Sequence, residues 1–141
     1  AASDVYKRQE KIVLKPADDL LMKRVMETVN KNLGSSEFSV EMLADSVGMS
    51  RAHLHRKLKE LTNLSARDFI RSIRMKQAAR LLTENNLTIA EVAYATGFSN
   101  ASHFSTVFKD YFGKTPTQYA KGASQEIVRT EKMEQPQTEN V

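Results

Sequence analysis

The chain has 141 residues, of which 40% are hydrophobic and none is cysteine, and this suits one ordinary domain or two very small ones. The lack of cysteine excludes disulfides and thiolate chemistry and fits a reducing cytoplasm, while no apolar run suits a membrane span and no signal-peptide pattern opens the chain. The net charge is only +4, but residues 51–121 carry twelve Lys and Arg against five Asp and Glu, which points to a polyanionic partner.

Apolar residues at helical spacing, with capping and stop signals, predict seven helices and no strand. The helices are expected at about 16–33, 40–47, 51–61, 66–84, 88–96, 100–112 and 116–121. Ser65 with Asp68, and Thr115 with Gln118, have the spacing of capping boxes at the start of the fourth and seventh helices. We interpret residues 1–15 as a tail or linker and residues 123–141 as a disordered, acidic tail.

The chain contains an internal repeat, seen by comparing LADSVGMSRAHLHRKLKEL with VAYATGFSNASHFSTVFKDYF. The first part of the repeat matches at an offset of 49 residues and pairs Ala44, Gly48 and Ser50 with Ala93, Gly97 and Ser99. After one inserted residue the offset becomes 50, and Leu54, Leu58 and Lys59 match Phe104, Phe108 and Lys109. In each copy the glycine can supply a positive φ at a tight turn, and the serine can cap the next helix or bind a phosphate.

Each copy is a short helix, a glycine turn and a longer helix, which is the helix-turn-helix pattern. The predicted fold class is therefore all-α, with two helix-turn-helix subdomains joined by a long linker helix. The first subdomain is expected at 16–65, the linker helix at 66–86 and the second subdomain at 87–122.

The longer helix of each copy has an apolar stripe opposite a polar face, at 100° per residue. The first helix should bury Leu54, Leu58 and Leu61 and should expose Ala52, His55, Arg56 and Lys59. The second should bury Phe104, Val107, Phe108 and Tyr111 and should expose Ser102, Ser105, Thr106 and Lys109. Arg56 is the strongest candidate to read a base, because a guanidinium can pair bidentately with guanine. The linker helix should expose its cations as a solvated face with one phosphate contact at most: Arg67, Arg71, Arg74, Lys76 and Arg80.

A metal site or an active site is not indicated. His53 and His55 point about 160° apart on their helix, so one metal ion cannot take both, and only His103 could add a third imidazole. There is no acid pair, no nucleophile–base pair and no glycine-rich phosphate loop in a suitable context. We therefore predict no cofactor and no enzymatic activity.

The second copy, GFSNASHFSTVFKDYFGKTPTQY, resembles the signature of the AraC/XylS family of bacterial transcription regulators, including its closing Thr-Pro. The resemblance extends over about residues 19–121. The first copy is most similar to the output domain of Bacteroidetes-type hybrid two-component regulators, which implies a longer cytoplasmic parent protein. Some relatives carry an arginine at the position of Thr106, so the second copy is expected to position the DNA backbone more than to read bases.

The resemblance and the exposed faces together define the residues predicted to contact DNA. They are Arg51, Ala52, His55, Arg56 and Lys59 in the first copy and Asn100, Ala101, Ser102, Ser105, Thr106 and Lys109 in the second.

We predict sequence-specific binding of double-stranded DNA by the output domain of a transcription regulator. A linker of ~19 residues spans about 28 Å at 1.5 Å per residue, close to the ~34 Å between successive major-groove segments. One chain should therefore reach both segments. The parent protein is expected to be dimeric, to bind two half-sites and to contact RNA polymerase, and this domain is not expected to contact a membrane. The alternatives are a helical protein-interaction module and a domain that binds nucleic acid without sequence preference.

Overall fold

The computed structural model describes residues 15–84 and 86–122, and these ranges contain seven helices and no strand. The helices are α1 Pro16–Lys31, α2 Val40–Ser46, α3 Arg51–Thr62, α4 Ala66–Glu84, α5 Ile89–Ala95, α6 Ala101–Phe112 and α7 over 116–122. The all-α prediction is confirmed, and each of the helices α1 to α6 ends within two residues of its predicted position. The predicted tails lie outside the described residues, apart from Lys15, whose carbonyl accepts backbone N–H groups at the start of α1.

Polar side chains begin most of the helices. At α7 both bonds of the predicted capping box form, because Thr115 Oγ1 accepts from the Gln118 N–H and Gln118 Oε1 accepts from the Thr115 N–H. At α4 only the serine half forms: Ser65 Oγ accepts from the Asp68 N–H at 3.1 Å, while the Asp68 carboxylate lies 3.4 Å from Arg71 Nη2.

Ser99 does not cap α6, although its repeat partner Ser50 caps α3. Ser50 Oγ accepts from the His53 N–H at 3.1 Å. At α6 the cap is Asn100, whose Oδ1 accepts from the His103 N–H at 2.7 Å. The residue inserted into the second copy therefore precedes the cap, so Asn100 occupies the structural place of Ser50. A capping role for Ser99 was wrong, and its contact with a phosphate stays a prediction.

Two apolar cores are built on the single helix α4. The first lies among α1, α2, α3 and the beginning of α4, and it includes Leu43, Leu54, Leu58, Phe69 and Ile70. The second lies among the end of α4, α5 and α6, and it includes Met75, Leu82, Val92, Phe104 and Phe108. We call the helices α1–α3 the first unit and α5–α7 the second unit, with α4 shared between them. Because burial of one large apolar side chain stabilises by about 1.5–3 kcal/mol, each unit has a substantial core of its own.

Tyr111 is an exception to the predicted apolar stripe of α6, since 39% of it is exposed. Phe112 packs inwards instead, with its ring centroid 4.6 Å from that of Phe108 and 5.4 Å from that of Tyr119. Tyr119 belongs to α7, which covers this side of the last turn of α6. The prediction of a buried Tyr111 was wrong because the returning chain, rather than helical periodicity, decides which aromatic ring is covered.

Both turn glycines have the predicted positive φ, 73° at Gly48 and 88° at Gly97. Their surroundings differ. A Cβ atom at Gly48 would meet nothing within 4 Å, whereas one at Gly97 would lie 1.5 Å from Arg74 Nη1 and 2.6 Å from the Leu33 carbonyl oxygen. Gly97 is therefore required by close packing as well as by backbone conformation.

Arg74 corrects the prediction of a solvated cationic face on α4, because only 9% of it is exposed. Its guanidinium lies between the two units and donates to backbone carbonyls of both. Arg67, Arg71, Lys76 and Arg80 are exposed as predicted. Helical periodicity places Arg74 beside the other cations, but α4 has a unit at each end, and the middle of the helix is covered by the loops of both.

Candidate nucleic-acid interface

The predicted contact residues of α3 lie on one exposed face. Leu54 and Leu58 are fully buried on the opposite side and hold the helix against the first core. The exposed side carries all five of the predicted residues: Arg51, Ala52, His55, Arg56 and Lys59. The structure therefore brings together the set that the sequence proposed, and their contact with DNA stays a prediction.

An open groove of about 610 Å³ follows this face of α3. Four of the predicted residues line it, and the remaining lining comes from Val40 and from the start of α4, including Ser65 and Arg67. Lys59 lies away from the groove, near the end of α3, where its Nζ donates to the Asn63 carbonyl at 3.2 Å. Lys59 is thus placed at the margin of the surface, where a long cationic side chain can meet a phosphate rather than a base edge.

The exposed face of α6 is less charged. Asn100, Ser102, Thr106 and Lys109 are exposed, while Ala101 and Ser105 are half-buried. Two of the polar groups already have partners within the chain. Thr106 Oγ1 donates to the Ser102 carbonyl at 3.1 Å, and the Asn100 side-chain oxygen caps the helix. This face therefore carries one charged side chain, Lys109, where the face of α3 carries Arg51, Arg56 and Lys59.

A second groove, of about 410 Å³, lies between the two units. Arg67, Arg71 and Arg74 line it from α4, and Ser99 and His103 line it from the beginning of the α6 region. Arg67 lines both grooves, so a continuous strip runs from α3 across the start of α4 to α6. The position of Arg67 in this strip was not predicted from the sequence. The only sequence signal was that Arg67 lies two residues after Ser65, in the first turn of α4.

The cations of the strip have few acidic partners. Arg51 Nη1 lies 2.6 Å from Glu41 Oε1, but both side chains are more than half exposed, so this contact can exchange for a phosphate. The pKa of Glu41 is lowered, first by a backbone N–H hydrogen bond at the start of α2 and then by Arg51. Within the described residues, no carboxylate lies within 4 Å of Arg56, Arg67 or Lys109. Their charges are therefore available to an anionic partner.

The histidines of α3, His53 and His55, are both exposed. His103 packs its ring edge-on against Phe98, with the centroids 5.5 Å apart. Among residues 15–84 and 86–122, no three His, Asp or Glu side chains are grouped so that they could hold a metal ion. None of the helices described there has the length and apolarity needed to cross a membrane.

Comparison with known families and proteins identifies a family of DNA-binding domains. A family model described as a helix-turn-helix domain matches residues 43–122. Histidine kinase P4 of Formosa agariphila is 34% identical over 116 residues, which are 82% of this chain and 8% of that protein. The transcriptional activator RhaS of Escherichia coli is 32% identical over 88 residues, covering 62% of this chain and 32% of RhaS. The chain thus spans about a third or less of these relatives.

Solved structures with the same architecture include a response-regulator domain and a DNA-binding domain. The C-terminal domain of AraT, a response regulator from Geobacillus stearothermophilus, has a TM-score of 0.69 at 30% identity and covers 77% of this chain and 87% of its own. The DNA-binding domain of AdpA, solved in complex with a target DNA, has a TM-score of 0.69 at 27% identity and covers 75% of this chain and 94% of its own.

Proposed function

This chain belongs to the AraC-type helix-turn-helix family of DNA-binding transcription-regulator domains, and we propose that it binds double-stranded DNA sequence-specifically with α3 and α6 in adjacent major-groove segments. The observation that carries this proposal is the strip that joins the exposed face of α3 to the beginning of α6, in which Arg56 and Arg67 have no carboxylate partner among the described residues. We call α3 and α6 the recognition helices from here on.

The dimensions of α4 support the engagement of two groove segments by one chain. Its 19 residues correspond to about 28 Å at 1.5 Å per residue, and successive major-groove segments on one face of B-DNA lie ~34 Å apart. Modest DNA bending or side-chain reach makes up the difference. The first recognition helix, with Arg56 and His55, is the reader of bases in this proposal. The second, with its small hydroxylic face, chiefly positions the backbone.

The parent protein is proposed to be a two-component regulator that places this domain at its output end. Similarity to a histidine kinase and to a response regulator supports that role. We further propose that the parent protein dimerises on two half-sites in the bacterial cytoplasm and contacts RNA polymerase. The family is one of DNA-binding domains rather than of enzymes, and we propose no catalytic activity for this domain.

Affinity measured against salt concentration tests the proposal. A duplex is first selected from random sequences and then compared with a scrambled duplex of the same length. A sequence-specific domain should prefer the selected duplex by ~10³ or more, and both affinities should fall as salt rises. Binding weaker than ~10⁻⁴ M to every duplex at low salt would reject the DNA function. Tight but equal binding to both duplexes would reject sequence specificity.

Arg56→Ala and Lys109→Ala form a matched pair that tests the assigned roles. Arg56→Ala should cost about 1–3 kcal/mol on the selected duplex and relax the preference at one base pair. Lys109→Ala should weaken all duplexes similarly and should reduce the salt slope by about 1. If the two variants behave alike, Arg56 does not read a base.

A further inference from the structure

The two units contact each other mainly through α4. In the described residues, the extensive helix–helix contacts are all between helices that follow one another in the chain. Each unit also has a separate apolar core, and the cores occupy different parts of α4. The relative orientation of α3 and α6 therefore depends on the shared helix and on the few groups that cross between the units.

Arg74 is such a crossing group, and it is bonded on both sides. Its Nη1 donates to the carbonyl of Leu33 at 2.7 Å and to that of Thr96 at 2.6 Å, and its Nη2 donates to the carbonyl of Ser35 at 3.0 Å. Leu33 and Ser35 belong to the α1–α2 loop of the first unit. Thr96 ends α5 in the second unit. One side chain thus ties both units to the middle of α4.

The site is shaped for a guanidinium. A guanidinium is planar and presents several N–H donors at fixed angles, so it can satisfy carbonyls that converge from two directions. Gly97 leaves the space that the group fills, because a Cβ atom there would lie 1.5 Å from Arg74 Nη1. Burial lowers the pKa of Arg74, but an arginine keeps its charge at any ordinary pH. An ammonium has neither the reach nor the planar spread to bond both loops at once.

We infer that Arg74 is a positioning residue that sets the orientation of the two recognition helices relative to each other, and thereby the spacing of the two DNA segments that the chain selects. The second half of this inference rests on the proposed DNA-binding function. The first half concerns the protein alone. It can be measured without DNA, so that the two can fail separately.

Spin-label distances test the orientation in the free protein. The chain has no cysteine, so Glu60→Cys and Asp110→Cys introduce the only labelling sites. These residues are exposed and occupy equivalent places on α3 and α6, at the repeat offset of 50. The doubly labelled chain with Arg74 intact should give one narrow distribution of distances between the labels, and Arg74→Met should broaden it. The matched control is Arg80→Met on the same helix, since Arg80 is exposed and, among the described residues, its side chain pairs with Glu84 alone, at 3.8 Å. If the distance distribution of Arg74→Met were as narrow as that of the chain with Arg74 intact, the inference would be overturned.

Spacing selectivity tests the consequence for DNA. The probe is the duplex selected with the unmutated chain, with and without one extra base pair between the two contacted segments. One extra pair moves the second segment by ~3.4 Å and rotates it by about 35°, since a turn has 10–10.5 pairs. The unmutated chain and Arg80→Met should lose about tenfold or more in affinity on the longer duplex, whereas Arg74→Met should lose less than about threefold. Equal losses in all three proteins would overturn the role of Arg74 in spacing.

Arg74→Lys tests whether a positive charge is enough, or whether the guanidinium must bond to both units. Circular dichroism tests whether a variant changes the orientation of the units or their folding. Arg74→Lys should broaden the distribution of label distances as Arg74→Met does. A distribution as narrow as that of the unmutated chain would overturn the requirement for a guanidinium. Because each unit has its own core, both variants should keep the helix content of the parent. Loss of a whole unit's helix content in both would make Arg74 a folding residue and overturn its positioning role. If the unmutated chain preferred no duplex, sequence-specific binding would be rejected, while the label distances would still decide the orientation.

Discussion

Alanine at the two turn glycines separates backbone strain from crowding, because Gly48 and Gly97 hold the same place in the two copies. Both have positive φ, a region that costs an L-residue about 1–2 kcal/mol. A Cβ atom at Gly48 meets open space, but one at Gly97 collides with Arg74 and approaches the Leu33 carbonyl to 2.6 Å. The difference between the variants therefore measures how tightly the two units are joined at Arg74.

The expected magnitudes follow from these contacts. Gly48→Ala should lower the free energy of unfolding by about 1–2 kcal/mol, which is the backbone strain alone. Gly97→Ala adds the displacement of Arg74, which deprives the carbonyls of Leu33, Ser35 and Thr96 of a donor. Leaving a buried polar group unpaired costs about 1–3 kcal/mol, so together with the strain a total of about 2–5 kcal/mol is expected for Gly97→Ala.

Urea denaturation followed by far-UV circular dichroism measures both variants on the same scale. Repeating the two substitutions in an Arg74→Met background adds a second comparison. There Gly97→Ala should cost less, by a coupling of about 0.5–3 kcal/mol, while the cost of Gly48→Ala should be unchanged. Equal destabilisation of Gly48→Ala and Gly97→Ala, within about 0.5 kcal/mol, would refute the packing argument.

Three further predictions concern a cap, a core residue and an ion pair. Asn100→Ala should cost about 1 kcal/mol because Asn100 caps α6, and Ser99→Ala less than about 0.5; equal losses in urea denaturation would contradict that cap. Phe108→Ala should cost about 3–5 kcal/mol in the same assay, since its ring is fully buried, and a loss below about 2 would contradict the second core. The pKa of Lys57 is raised above 10.5, first by its hydrogen bond to Asp18, so its stabilising effect is present below pH 10.5 and lost as pH rises through the raised value. The urea midpoints of the parent and Lys57→Met should therefore differ at neutral pH and converge at high pH; a constant difference would contradict the pairing.

The helices and their caps were predictable because they depend on residues close together in the chain. Thr115 and Gln118 form their capping box from spacing alone. The positive φ of Gly48 and Gly97 likewise follows from the turn that each must make. The repeat also indicated that one residue is inserted in the second copy. It pointed to Ser99 as a cap of α6, whereas Asn100 caps that helix, because both side chains are good caps and the path of the chain into the helix decides between them.

The exposed face of α3 was predictable for a similar reason. Leu54 and Leu58 define the buried side, and helical geometry then places Arg56 and His55 towards solvent. At the end of α6 the same reasoning was wrong for Tyr111, because α7 returns over the neighbouring Phe112. A stripe is reliable where one core covers a helix, and it is unreliable where a later segment adds a second cover.

By itself, then, the sequence determined the order of the helices, the duplication of the helix-turn-helix unit and the cationic face of α3, since all three are local or periodic properties. Only the tertiary structure decided the roles of the arginines of α4. Arg67 lies in the strip shared by both grooves, whereas Arg74 is buried between the units. This is because α4 packs on a different unit at each end, so no single periodicity describes which of its faces meets solvent, and carbonyls more than twenty residues away hold the guanidinium of Arg74.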